Sequence, residues 1–306
     1  SAESIRLQGR LEATAAGDLD SDGYFEVLLV SRASGSGSFG RLHALEWDGE
    51  QLTDLPELPF GQPYRQGYMG HDLYVLAGDH IIRQFPLYKR SDPNSRPTDG
   101  FCRIMYKLKN NQWILKPVPS PNALELTDRL QSYCENLISG SGKASKETRS
   151  LADSLMPRID RILYYLKRGS RQSLLDNRAE KALYSLNANI KKDTPRLYAQ
   201  QFLLTTQAWR LALYAEEDNR RRAPFRGLYE GAPPSADAKA KKTRLELEAS
   251  GRAQLSTWFK GKGKEPIVQT GFWEPDGKKV RLVLTEQNGR SIDVRMVWLR
   301  SEERRV

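Results

Sequence analysis

The sequence predicts an α+β protein of several domains: an N-terminal antiparallel β domain, a central helical bundle and a small C-terminal β half-barrel. Two changes of period point to this arrangement. Short apolar runs punctuated by turn dipeptides fill the chain to about residue 118, and apolar residues then recur every three or four positions between Leu151 and Leu211. Beyond residue 240 the strand period returns.

In the first segment the predicted strands are Glu26 to Ser31, Leu42 to Trp47, Asp72 to Leu76, Ile81 to Pro86, Cys102 to Leu108 and Gln112 to Lys116. Asp48-Gly49, Gly78-Asp79 and Asn110-Asn111 stand where tight hairpin turns would fall. Pro117, Pro119 and Pro121 end the strand register, which bounds this domain at 1–118.

The stripe Leu151, Leu155, Ile159, Ile162 and Leu166 predicts one amphipathic helix, and Leu174, Leu175, Ala182, Leu183 and Leu186 a second, with Gly169-Ser170 between them. A third helix is expected from Pro195 to about Asp218, with Thr194 as its cap. Cys134 also lies in a helical pattern. Short connections make this region, 119–223, an antiparallel bundle. Pro224 to Ala240, with Pro233-Pro234, reads as a linker over 224–240. Strands then follow at Arg244 to Leu247, Gln254 to Phe259, Ile267 to Trp273, Val280 to Thr285 and Ile292 to Leu299, so 241–306 forms the last β domain.

A chain of 306 residues has room for two or three cores, and its 39% apolar content is ordinary for a globular protein. No apolar run approaches the ~18 residues that cross a bilayer. The chain opens at Ser1-Ala2 with no basic stretch or apolar signal, so any targeting segment is expected to have been removed or to lie outside this sequence. Only Cys102 and Cys134 are present, and a disulfide or two free thiols are both consistent with their spacing. The net charge of +10 favours anionic partners, but it is spread along the chain. Arg220-Arg221-Arg222 and Lys239 to Lys242 are the tight clusters, both in expected linkers, and no basic aromatic stripe of the kind that binds nucleic acid is seen.

The densest chemical signal is Asp18-x-Asp20-x-Asp22-Gly23-Tyr24-x-Glu26. Alternating carboxylates around a glycine suit a hard cation that takes six to eight oxygens, so Ca²⁺ in a structural role is expected on Asp18, Asp20, Asp22, the Tyr24 carbonyl and Glu26. The twelfth position is Leu29, where an EF-hand places its closing glutamate, and a strand follows in place of a helix. A solvated acidic turn without an ion is the other reading.

The next strand runs into Arg32-Ala33-Ser34-Gly35-Ser36-Gly37-Ser38-Phe39, a loop able to protrude, offer hydroxyls and carry one ring at its tip. Together the acidic turn, the apolar strand and this loop resemble the periplasmic inhibitors of invertebrate-type lysozyme. Gly67-x-x-Gly70-His71-Asp72 and Arg83 to Tyr88 look like the second half of that family's β domain. The resemblance covers about residues 5–118. It implies that the loop is a key for a lysozyme-type muramidase cleft, with Ser36 and Phe39 in the contact roles and Arg32, Ser34 and Ser38 beside them. The family has tyrosine where Phe39 stands, and loss of a hydroxyl bonded to a catalytic carboxylate would cost about 1–3 kcal/mol. Lysozymes use a protonated and an ionised carboxyl in one cleft, and a hydroxyl-rich loop flanked by Arg32 and Arg41 suits such a cleft.

Ser256 to Trp273 and Lys279 to Leu284 resemble the half-barrel of envelope lipoproteins of the NlpE type, without that family's Cys-x-x-Cys. Trp258, Trp273 and Trp298 are read as core or groove residues. Gln207 to Tyr214 resembles the last helix of a separate helical lysozyme-inhibitor family, whose cysteines are absent here. Tyr164, Tyr165, Tyr184, Tyr198 and Tyr214 are read as packing residues or rim donors.

The histidines His43, His71 and His80 sit in no nucleophile, metal or phosphate motif, and Gly261-x-Gly263 lacks the spacing of a nucleotide fingerprint. No catalytic residue is assigned, so the chain is expected not to be an enzyme. The reading is of a periplasmic or outer-membrane envelope protein that binds a muramidase, with membrane anchoring through a lipidated cysteine ahead of Ser1 left open. The alternative is a periplasmic or lipid-anchored structural or sensor protein holding a small apolar ligand in the C-terminal half-barrel.

Overall fold

The computed structural model describes residues 7–140, 144–170, 172–193, 196–231, 240–259 and 265–299. The chain forms two compact units, residues 1–216 and 217–306. The architecture is α+β: antiparallel sheets at the N-terminus, four helices in the middle and a six-stranded antiparallel sheet at the C-terminus.

The first unit opens with two four-stranded meanders. One is β1 (Arg10–Gly17), β2 (Phe25–Arg32), β3 (Gly40–Trp47) and β4 (Leu52–Asp54). The other is β5 (Leu73–Leu76), β6 (Ile81–Pro86), β7 (Phe101–Lys109) and β8 (Gln112–Pro117). Alternation sends Leu28 and Ala44 from the first and Ile81, Phe85, Ile104, Tyr106 and Leu108 from the second into one shared core. Leu19, between two aspartates of the acidic turn, is 1% exposed and anchors that turn in the same core. The β7–β8 turn has φ 49° and 55° at Asn110 and Asn111, the left-handed pair that a two-residue hairpin demands and asparagine tolerates.

The helices are α1 (Ala123–Ile138), α2 (Lys146–Lys167), α3 (Asn177–Asp193) and α4 (Arg196–Arg222). Asn122 and Glu125 start α1 with a reciprocal capping box. Leu126, Leu130, Leu155, Ile159, Leu186 and Phe202 come from all four helices to fill a single core. Trp209 of α4 is 1% exposed there, and its indole donates to Thr127 Oγ1 at 3.0 Å. The helices and the β sheets share one unit, with a polar joint at Gln84. That fully buried side chain on β6 donates to the Leu204 carbonyl and to Gln207 Oε1 of α4, while Arg103 donates to its oxygen.

The second unit begins with the last residues of α4. The 3₁₀ turn Ala223–Phe225 leads to an open meander of β9 (Gly227–Gly231), β10 (Ala240–Leu247), β11 (Arg252–Phe259), β12 (Ile267–Asp276), β13 (Lys279–Gln287) and β14 (Arg290–Leu299). Its core holds Phe225, Tyr229, Leu245, Leu255, Trp273, Leu282 and Leu284. Arg222, 2% exposed, pairs with Asp218 at 2.6 Å, donates to the Trp273 carbonyl at 2.6 Å and lies 5.0 Å from that indole.

Several expectations need correction. β9 occupies part of the stretch read as a linker, because Tyr229 has a core to enter. β1, β4 and β9 add three strands, and α1 is a full helix. Thr194-Pro195, Pro233-Pro234, Lys239 and Gly261-x-Gly263 lie outside the described residues, as do the side chains of Tyr198 and Trp298. Cys102 and Cys134 are free thiols. No helix among the described residues is long and apolar enough to cross a membrane.

Candidate functional site

Both sequence motifs fall on one hairpin. β2 and β3 pair without a shift from Phe25 opposite Trp47 to Arg32 opposite Gly40, with the Ser34–Phe39 loop at one end and the acidic turn entering at the other.

The loop is a tied strap. Ala33 N–H donates to the Phe39 carbonyl at 2.9 Å and Ser38 N–H to the Gly35 carbonyl at 3.0 Å, so the turn tip lies at Ser36 and Gly37. His71 N–H donates to the Gly37 carbonyl at 2.9 Å, and the Asn94 amide donates to the Ser36 carbonyl. A side chain at Gly70, where φ is +94°, would stand 2.0 Å from that Gly37 oxygen, so the close approach requires glycine. Ser34 and Ser36 are exposed and Ser38 is half-buried.

Two loop residues differ in place from expectation. Phe39 is at the base of the loop, not the tip: it closes the strap through its carbonyl, and its ring folds over Gly37 and meets Tyr68 edge-on at 5.7 Å. Tyr68 belongs to an aromatic cluster, with Phe60 and Phe85, that gives the ring an apolar wall; 45% of Phe39 remains in solvent. It borders a groove of about 630 Å³ lined also by Arg41, His43, Glu57 and Phe60. Arg32 turns inward. Its guanidinium donates to Glu12, to the Ser38 carbonyl and to the Asp72 carbonyl, each at 2.8 Å, so it braces the strap.

Beneath the loop lies a buried network absent from the sequence reading. The Asp72 carboxylate accepts from Arg83 Nε at 2.8 Å, Tyr68 OH at 2.7 Å and the Gly40 amide at 3.0 Å. Arg83 in turn sits 3.9 Å from the Phe60 ring centre. Asp72 is thus engaged away from His71, which has φ 59° and meets Asn94 at 3.2 Å. His43 contacts Ser31 at 3.5 Å and His80 contacts Asp79 at 3.0 Å.

At the other end, Asp18, Asp20 and Asp22 bring carboxylate oxygens within 4.8 Å of one another. The turn is wound by its own amides: Gly23 N–H donates to Asp18 at 3.2 Å and Tyr24 N–H to Asp22 at 2.8 Å. Glu26 is fully buried, and one of its oxygens takes the Leu19 amide from inside the turn. Burial pushes the Glu26 carboxyl up, against the Leu19 amide, and the negative charges of Asp20, Asp22 and Asp18 push it further. Glu46, which no motif marked, stands directly opposite Glu26 across β2 and β3. Burial and then Asp22, Asp20 and Asp48 push its carboxyl up as well. The hairpin register carried that signal: pairing Arg32 with Gly40 across the loop puts residue 46 against residue 26. Tyr24, expected to offer its carbonyl, is 46% exposed.

Of the remaining motif residues, Trp273 and Tyr214 serve packing. Trp273 is 1% exposed and its indole donates to the Glu248 carbonyl at 2.9 Å, so it is core. Tyr214 donates to Glu180 at 2.8 Å, whereas Tyr164 and Tyr184 are exposed.

No curated protein and no solved structure matched the chain. Residues 229–302 match the family model of the NlpE N-terminal domain, so the C-terminal sheet is similar over that segment to a domain of envelope lipoproteins.

Proposed function

We propose that this chain is a non-enzymatic binding protein of the bacterial envelope, whose Ser34–Phe39 loop enters the active-site cleft of a lysozyme-type muramidase. The observation that carries the reading is the loop's presentation. Ser34, Gly35 and Ser36 are in solvent while five backbone carbonyls of the segment are tied down, so little ordering entropy remains to be lost on binding. The NlpE-like segment supports an envelope location, periplasmic or anchored at the outer membrane. Engagement of all three histidines in local contacts supports a binding role over catalysis. Because Phe39 packs on Tyr68, its ring serves as a shoulder beside the cleft, and Ser36 makes the polar contact.

The test is a titration of muramidases of different classes with the full chain, following lysis of cell-wall suspensions. One class is expected to be slowed, and Ser36→Ala to weaken the effect by about tenfold, the scale of one hydrogen bond to a charged group. A panel in which no class is slowed or bound would remove the reading.

A further inference from the structure

We propose that Asp18, Asp20, Asp22, Glu26 and Glu46 form a single centre for Ca²⁺, in which Glu46 from the neighbouring strand is the closing ligand that the turn's own twelfth residue does not supply. This stands whatever the Ser34–Phe39 loop binds.

An acidic turn alone would carry no such claim, since aspartates before a strand are commonly solvated. Glu26 changes the case. It is 0% exposed, it is held into the turn by the Leu19 amide, and its Oε1 meets no donor. Asp18 Oδ1, Asp20 Oδ1 and Glu46 Oε2 are likewise buried without a partner among the described residues. Buried carboxylate oxygens are normally paired or coordinate a metal, because an unpaired one forfeits its hydration. Two of these oxygens belong to the aspartate cluster and two to the glutamates paired on the strands that follow it, and together they point to a cation.

The register gives a second argument. Glu26 and Glu46 face each other across β2 and β3, and like charges directly opposite one another weaken a strand pair. An ion between the two strands converts that repulsion into a shared bond.

Donor chemistry selects the ion. Five carboxylates with the position-seven carbonyl of Tyr24 are all hard oxygen donors, and they come from a pliable turn and two strands. Ca²⁺ accepts six to eight such oxygens in variable geometry, whereas Mg²⁺ demands a near-ideal octahedron and keeps its waters. The consequence is mechanical: the ion clamps one end of the hairpin whose other end, about 20 Å away at 3.3 Å per residue, carries the loop.

The experiment uses the full chain stripped with EDTA, titrated calorimetrically with CaCl₂ and separately with MgCl₂, alongside melting curves. Tb³⁺ provides an independent probe, since Tyr24 and Trp47 flank ligand positions and can sensitise its luminescence. One Ca²⁺ site is expected, with Mg²⁺ weaker and a higher melting temperature in Ca²⁺. Glu46→Gln should weaken Ca²⁺ by roughly tenfold or more yet raise the melting temperature in EDTA, because it removes one of the opposed charges. Asp20→Asn should act the same way and guards against a Glu46 variant that misfolds, while exposed Glu57→Gln should leave binding unchanged. Absence of Ca²⁺ heat, Tb³⁺ luminescence and any melting shift at millimolar metal would overturn the centre. Wild-type affinity in Glu46→Gln would overturn its closing role.

Discussion

A buried charge is informative because of how it is answered. Arg222 and Asp218 are both almost wholly buried, and the arginine also meets the Trp273 carbonyl and indole. Removing the guanidinium takes the closest partner from Asp218, which keeps Arg221 at 3.2 Å, and the donor from the Trp273 carbonyl, so Arg222→Ala should lower the stability of the 217–306 unit by about 1.5–3 kcal/mol in denaturant titrations followed by tryptophan fluorescence. The same environment makes Gly251 exacting: a side chain there would meet the guanidinium at 2.5 Å, and φ is +84°. Cys134 shows burial without an answering charge. Its thiol is pushed up to about 12, by burial first and then by Glu135. A thiol reagent at neutral pH should therefore spare Cys134 in the folded protein and label it only on unfolding, as mass spectrometry of the alkylated peptides would show.

Elements here are held as firmly by their ends as by their faces. Asp176 caps α3, accepting from the amides of Arg178 at 2.9 Å and Ala179 at 3.2 Å, with Arg158 at 3.1 Å. Burial works to raise its carboxyl, but those amides and Arg158 outweigh it and hold the group below the usual carboxylate range. A depressed folded value means that the contribution is present above the unfolded value of about 4 and lost as pH falls through the folded one. Asp176→Ala should accordingly cost about 1 kcal/mol at pH 7 and converge on the parent protein near pH 2, measured by urea denaturation at each pH. Turns obey the same local logic. Asn111→Val places a β-branched residue at φ 55° and should destabilise the β7–β8 hairpin by about 1–2 kcal/mol. Such signals were legible beforehand: the hairpin dipeptides and the leucine stripes of α2 and α3 located most elements. β1 was not legible, since Arg10–Gly17 alternates small residues with little β-branching, and β4 is three residues long. β9 was hidden by the glycine and proline around it.

For the whole molecule, ligand linkage is the property that a single measurement reaches. If Ca²⁺ binds only the folded 1–216 unit, a concentration one hundred times its dissociation constant adds about 2.7 kcal/mol, which for a unit of this size raises the melting temperature by roughly 5–10 °C. Calorimetry should place that rise in the transition of this unit, and EDTA should reverse it. What the sequence by itself determined was local: periods, turn residues, and the oxygen donors of Asp18 to Glu26, because those depend on neighbours along the chain. The tertiary structure alone decided that Glu46 stands against Glu26, that Arg32 braces the loop and Phe39 lies at its base, and that Gln84 joins sheet to helix within one unit. Those facts depend on strand register and on which buried group finds a partner, and both are settled only when segments distant in sequence pack together.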